Sequence, residues 1–191
     1  MASGMSETLW HLDSITDRFA FQRAAVTRAV HNKTGLILNV GCKEDPVPLK
    51  PLAPDRVVNC DISDYDFIEN RPNCQDVLFD CARDRWPYND REACLVVMGD
   101  ILEHLGVEDV RFALAEARRV GGSLAVTTPH DTSPDMCCDE FANRFARGER
   151  HRTCFTEALL RELLVEAGWK VTHFRTVDYV FLPEGYLVFC E

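Results

Sequence analysis

Four short runs in the first half of the chain share one pattern, a succession of apolar and β-branched residues closed by a glycine or an acid. They are Leu36-Ile37-Leu38-Asn39-Val40-Gly41-Cys42, Arg56-Val57-Val58-Asn59-Cys60-Asp61, Asp76-Val77-Leu78-Phe79-Asp80 and Ala93-Cys94-Leu95-Val96-Val97-Met98-Gly99. Runs of this length bounded by turn residues predict strands, and the unbroken apolar stretch at 93–98 predicts a central parallel strand covered on both faces. A fifth strand is predicted at Ser123 to Thr128, closed by Pro129. Two more follow at Trp169 to Asp178 and Tyr186 to Cys190, with Pro183-Glu184-Gly185 as a hairpin-like turn.

Between these runs the period changes to three and four. Leu9, Leu12, Ile15, Phe19, Ala24, Val26 and Val30 predict a leading amphipathic helix from about Ser6 to Asn32, with a break allowed near Thr16 and a stop at Asn32-Lys33-Thr34-Gly35. Val110, Leu114 and Ala117 predict a helix over 107–120 that Gly121-Gly122 ends, and a last helix runs from Thr156 to Ala167 before Gly168. Alternating strands and helices with an antiparallel finish predict an α/β fold, a three-layer Rossmann-like sandwich. Residues 1–191 are read as one domain, with 6–34 as the leading helix and 35–191 as the core. No internal repeat or low-complexity linker interrupts them.

The totals narrow the partners. With 31 acidic against 21 basic residues and a formal charge of -10, long-range steering repels a polyanion, so nucleic acid is disfavoured. Nine cysteines without a repeating spacing, an odd number, fit reduced thiols in a cytoplasm better than a disulfide framework. No apolar stretch reaches the length of a membrane span and no secretory leader pattern opens the chain, so the expected location is cytoplasmic.

The order of four features carries the functional reading: the strand ending in Val40-Gly41-Cys42, then Asp61 closing strand two, Asp80 after strand three, and Leu102-Glu103-His104-Leu105 after strand four. This order resembles the class I S-adenosylmethionine-dependent methyltransferases, closest to the small bacterial type 11-like group. Ala115-Glu116-Ala117-Arg118-Arg119-Val120-Gly121-Gly122 and the stretch from Phe155 to Trp169 resemble later segments of that group. The resemblance runs from about Leu36 to the C-terminus. It implies a mostly parallel seven-stranded sheet with the last strand antiparallel, S-adenosylmethionine as cofactor, and methyl transfer; a compact, acidic chain makes a small molecule the expected acceptor.

Each candidate position has a physical reason and a plainer alternative. Asp61, at a rigid strand end, can accept both ribose hydroxyl hydrogens; otherwise it starts a turn. Asp80 can accept the adenine amino hydrogens, with the backbone of Cys81 or Ala82 reaching a ring nitrogen; otherwise it caps a helix or a turn. Gly41 and Cys42 form the tight turn at the methionine end, and Asn39 stands where the family commonly has an acid. Gly99 completes the cofactor-binding set. Lys43-Glu44-Asp45 replace the family's further glycines, and Pro46, Pro48, Pro51 and Pro54 leave the usual first helix shortened or lost.

Asp100, His104 and His130 are the candidate catalytic residues on the acceptor side, although His104 could instead pack against the sheet. No metal site is assigned, since in the group Cys137, Cys138, His151 and Cys154 the adjacent cysteines are poorly spaced for chelation. Arg144, Arg147, Arg150, His151 and Arg152 form a basic stretch that reads as a solvated face or as a patch for an anionic acceptor. Trp86-Pro87-Tyr88 reads as a core plug or a turn rather than a base-stacking platform. Two other classes are compatible with parts of the pattern. One is a cofactor-free binding or regulatory relative, motivated by Lys43-Glu44-Asp45. The other, a nicotinamide-dependent oxidoreductase, fits worse because the prolines intrude where its glycine fingerprint should open a helix.

Overall fold

The computed structural model describes residues 17–42, 49–62, 76–130, 151–179 and 182–191. Seven strands form one sheet in the order β3-β2-β1-β4-β5-β7-β6. They are β1 (Leu36–Val40), β2 (Val57–Asp61), β3 (Val77–Leu78), β4 (Ala93–Gly99), β5 (Leu124–Pro129), β6 (Val171–Tyr179) and β7 (Leu182–Cys190). The helices are α1 (Arg18–Asn32), α2 (Val107–Val120) and α3 (Glu157–Glu166). β3, β2, β1, β4 and β5 pair in parallel, whereas β7 runs antiparallel to both β5 and β6, as expected for the last strand. The third strand is shorter than its pattern predicts: Phe79 N–H still donates to the Asp61 carbonyl at 2.9 Å, but the chain turns from Cys81 onward and pairs no further.

β4 shows why an unbroken apolar run is needed at the centre. Leu95 and Val97 pack on one face with Phe21, Ala25, Val26 and Ala29 of α1. Val96 and Met98 pack on the other with Val110 and Leu114 of α2 and Leu160, Leu163 and Leu164 of α3. A strand clad on both faces has no solvent side for a polar residue. The buried stripe of α1 comprises Phe21, Gln22, Ala25, Val26 and Ala29, whereas Phe19, Ala24 and Val30 are only partly buried. The stripe is therefore rotated from the sequence expectation, and it carries one amide, Gln22, into the interior.

The helix starts obey local chemistry. Asp17 caps α1 by accepting from Ala20 N–H at 2.7 Å, and Thr156 caps α3 by accepting from Leu159 N–H at 3.2 Å. Each such cap contributes about 1 kcal/mol. Arg56 ties the end of α1 to the sheet by donating to the carbonyls of Val30, Lys33 and Gly35. Between β1 and β2 the described residues hold only a 3₁₀ turn at Lys50–Leu52, as the prolines require. Trp86 is a core plug, 1% exposed, with its indole N–H on the Cys81 carbonyl.

Cys42, Cys60, Cys81, Cys94 and Cys190 stand outside any disulfide, but Cys154 is disulfide-bonded, so the expectation of reduced thiols is corrected at that position. Among the described residues, no helix is long and apolar enough to cross a membrane. Expectations for residues 6–16, Lys43 to Pro48, Cys74, Cys137, Cys138 and Arg144 to Arg150 lie outside the described residues.

Candidate active site

The connections leave β1 toward β2 and β3 on one side and resume at β4 on the other. Such a reversal opens a crevice over the carboxyl ends of the strands. Register sets what lines it. Val40 pairs with Cys60 of β2 and with Met98 of β4, so Gly41, Asp61 and Gly99 leave their strands at one level.

Gly41 bends the chain with a φ of +72°, and the N–H groups of Gly41 and Cys42 both reach the Cys60 carbonyl, at 2.9 and 3.3 Å. A Cβ on Gly41 would lie 2.7 Å from Cγ1 of Ile101, so the turn needs glycine for conformation and for space. Asn39 is buried in β1 and donates through Nδ2 to Asn59 Oδ1 at 3.0 Å. Cys42 is buried beside the turn.

Asp61 ends β2 with 7% exposure, and its Oδ1 accepts from Ile62 N–H at 2.7 Å. Asp80 follows β3 and caps a turn: Oδ1 accepts from Ala82 N–H at 2.9 Å, while Arg83 stands 3.9 Å from Oδ2. These turn contacts match the plainer of the two readings open for this residue. Burial pushes the Cys81 thiol up to about 12, which keeps it protonated and inert as a nucleophile.

On the β4 side, Gly99 has no side chain because Gln22 occupies the space. A Cβ there would come within 2.3 Å of Gln22 Nε2, which donates to Thr127 Oγ1 at 2.8 Å. Asp100 adopts a φ of +53°, a left-handed conformation that short acids tolerate better than most residues. Its carboxylate forms an ion pair with Arg18 of α1 and accepts from Thr127 Oγ1 at 3.2 Å. Arg18, Gln22 and Thr127 belong to this rim, although no motif marks them: their roles arise from α1 packing on the face of β4 and β5 with its first turn beside their carboxyl ends.

Next, a 3₁₀ turn spans Leu102–His104. Glu103 is only 3% exposed, and its Oε2 accepts from Thr128 Oγ1 at 3.1 Å. Burial, reinforced by the neighbouring Asp100 charge, raises the Glu103 carboxyl well above the usual carboxylate range. The segment after residue 150 is clamped to this turn: Arg152 and Thr153 N–H donate to the Glu103 carbonyl at 2.7 and 3.1 Å, and Thr153 Oγ1 donates to the Leu105 carbonyl at 2.6 Å. The clamp brings His151 edge-on to His104, with ring centroids 5.1 Å apart. Burial, together with the His104 charge, lowers His151 to about 4, so its imidazole is neutral near neutral pH.

His130, after β5, lies against the Tyr186 ring with centroids 4.8 Å apart. Asp100, His104 and His130 thus all sit on segments that leave the carboxyl ends of β4 and β5. Glu103 and His151 join them, and the signal that could have found them is the Glu-His doublet with a second histidine downstream. Arg152, read as part of a basic stretch, stands 3.6 Å from Asp109 of α2. Cys154, being disulfide-bonded, has no thiolate to offer the cysteine and histidine grouping weighed from the sequence.

No protein-family model matches the sequence, and no curated protein is similar to it in sequence. Solved structures are similar in fold. A S-adenosylmethionine-dependent methyltransferase from Methanosarcina mazei superposes with a TM-score of 0.60 at 16% identity, over 84% of this chain and 95% of that one. The 1,6-didemethyltoxoflavin-N1-methyltransferase of Burkholderia thailandensis, solved with S-adenosylhomocysteine bound, gives 0.64 at 12% identity, over 94% and 80%. The [4+2]-cyclase SpnF gives 0.59 at 16% identity, over 90% and 80%. At these identities the likeness speaks for architecture, and with the strand order above it leads to one conclusion: this chain has the Rossmann-like fold of the class I S-adenosylmethionine-dependent methyltransferases.

Proposed function

We propose that this chain binds S-adenosylmethionine over the carboxyl ends of β1, β2 and β4 and transfers its methyl group to a small-molecule acceptor. The supporting observation is the alignment of Gly41, Asp61 and Gly99 at one sheet level. There, a positive-φ glycine opens the turn and a buried carboxylate closes the adjacent strand. The residues fit the group. A buried acid fixed at a strand end is suited to a ribose diol.

In this reading Asp61 accepts from the ribose hydroxyls, the Gly41-Cys42 turn and Asn39 receive the methionine end, and Asp80 with the Cys81 backbone flanks the adenine. When bound, the cofactor supplies a methyl group on a positively charged sulfur, which keeps the bonding electron pair as the acceptor's lone pair takes the methyl. The protein's task is alignment, which contributes more than proton removal to such a displacement. Asp100, held by Arg18 and Thr127, orients the acceptor, His104 helps hold its polar groups, and His130 receives the released proton.

A second reading, a binding protein or an enzyme of another reaction class on the same fold, is favoured by the packing of Ile101 over Gly41, and a cyclase is among the fold relatives. Calorimetric titration separates the two. Saturable binding of S-adenosylmethionine and S-adenosylhomocysteine that is lost in Asp61→Ala supports the enzyme; no heat at millimolar ligand supports the alternative.

A further inference from the structure

The clamp between the 3₁₀ turn and residues 151–153 does more than close a loop. It gathers a carboxylate and two imidazoles, each offering one donor atom, so that the donor atoms of Glu103, His104 and His151 all lie within 4.8 Å of one another. We infer that Glu103, His104 and His151 form a binding site for a divalent transition metal, of the zinc type, on the acceptor side of the crevice.

The donor set selects the ion class. Two imidazoles and one carboxylate are a recurrent catalytic zinc ligand set that leaves a coordination position open, whereas magnesium takes oxygen donors and keeps its waters. The geometry is close to closure. Zinc held at about 2.1 Å by tetrahedral ligands wants donor atoms roughly 3.4 Å apart, so side-chain rotations of about an ångström suffice. Glu103 Oε1 already stands 4.0 Å from His104 Nε2.

The surroundings are those of a held ligand set. Thr128 donates to the other Glu103 oxygen and orients the carboxylate, as hydroxyls and amides do around metal ligands. Arg152 and Thr153 fix the main chain on either side of the contact through the Glu103 carbonyl. Glu103 is buried where an uncompensated carboxylate is costly, and a dication is a natural counter-charge.

The cluster sits on the segment that leaves the carboxyl end of β4, and an ion held by three protein ligands keeps a position for an oxygen or nitrogen donor of the acceptor. Metal binding itself does not depend on the methyl-transfer reading. The titration contains no cofactor, so its failure leaves nucleoside binding at Asp61 untouched, and failure of the latter leaves the metal site standing.

The test is titration of chelator-treated protein with Co²⁺ as a spectroscopic probe and with Zn²⁺ as its competitor. One equivalent of Co²⁺ should produce visible d–d absorption that Zn²⁺ displaces and that a hundredfold excess of Mg²⁺ does not. His151→Ala and His104→Ala, checked for folding by circular dichroism, should each weaken Co²⁺ binding at least tenfold. Absence of saturable Co²⁺ or Zn²⁺ binding to the wild-type protein, displacement by Mg²⁺, or unchanged affinity in both folded histidine variants would each overturn the assignment.

Discussion

Ile101 packs directly over Gly41: a methyl group added to the glycine would lie 2.7 Å from Ile101 Cγ1 and 2.8 Å from its Cβ. The turn that opens the crevice is therefore locked from the segment that leaves β4, across the point where the chain reverses its direction of travel through the sheet. Gly41→Ala should lose about 2–5 kcal/mol, combining about 1–2 for a left-handed residue with about 1–3 for overpacking. Combining it with Ile101→Ala should recover the packing part and leave the conformational part. Urea denaturation of the two single variants and the double variant measures both, and strict additivity would show that the two residues do not touch.

Asp61→Ala is expected to weaken S-adenosylhomocysteine binding by ten- to a hundredfold, since hydrogen bonds to a charged group are worth about 1.5–3 kcal/mol. Asp80→Ala should matter less for binding than for the local turn, because Asp80 already serves Ala82 N–H. Equal losses from the two substitutions, read by calorimetry, would contradict the different surroundings of these acids.

Arg18 and Asp100 join α1 to the end of β4, with side-chain exposures of 26% and 22%. A double-mutant cycle with Arg18→Met and Asp100→Asn should give a coupling of roughly 1 kcal/mol or less, discounted for solvent screening, that shrinks as salt is raised. A coupling indifferent to salt would indicate that the two side chains act through packing instead.

Acid stability should depend on Glu116. Arg119, the first cause, lowers its carboxyl below the usual 4.5, with help from the Trp86 N–H. The folded protein then binds fewer protons than the unfolded chain below that pH, so this contribution is complete above 4.5 and disappears as the pH falls through the folded value. Glu116→Gln should cost about 2 kcal/mol at neutral pH and flatten the decline in stability below pH 4.5. Denaturant midpoints of both proteins from pH 6 to 3 provide the check, and parallel curves would rule out Glu116 as the titrating group.

Trp86→Ala should be among the most destabilising single changes, at about 3–5 kcal/mol, because a fully buried indole leaves a cavity and an orphaned Cys81 carbonyl. Trp86→Phe should retain most of the packing against Phe79 while losing the hydrogen bond. Thermal unfolding should rank the two in that order.

Sequence pattern alone determined the layers of this protein. Apolar runs closed by a turn residue specify strands, so β1, β2, β4, β5 and the antiparallel finish were legible, as were α2, α3 and Gly41 at a strand end, whereas Pro183-Glu184-Gly185, expected as the hairpin turn, lie within β7. Local rules are written in neighbouring residues, and a glycine needs only its own turn to declare itself. What only the tertiary structure decided is who meets whom across the sheet edge. Gln22 fills the space that Gly99 leaves, Arg18 holds Asp100 from a helix about 80 residues away, and His151 reaches Glu103 and His104 through two hydrogen bonds to one carbonyl. None of these pairs shares a period, a motif or a spacing. They exist because strands in parallel register deliver their carboxyl ends to one level, and that alignment is a property of the assembled sheet rather than of any segment within it.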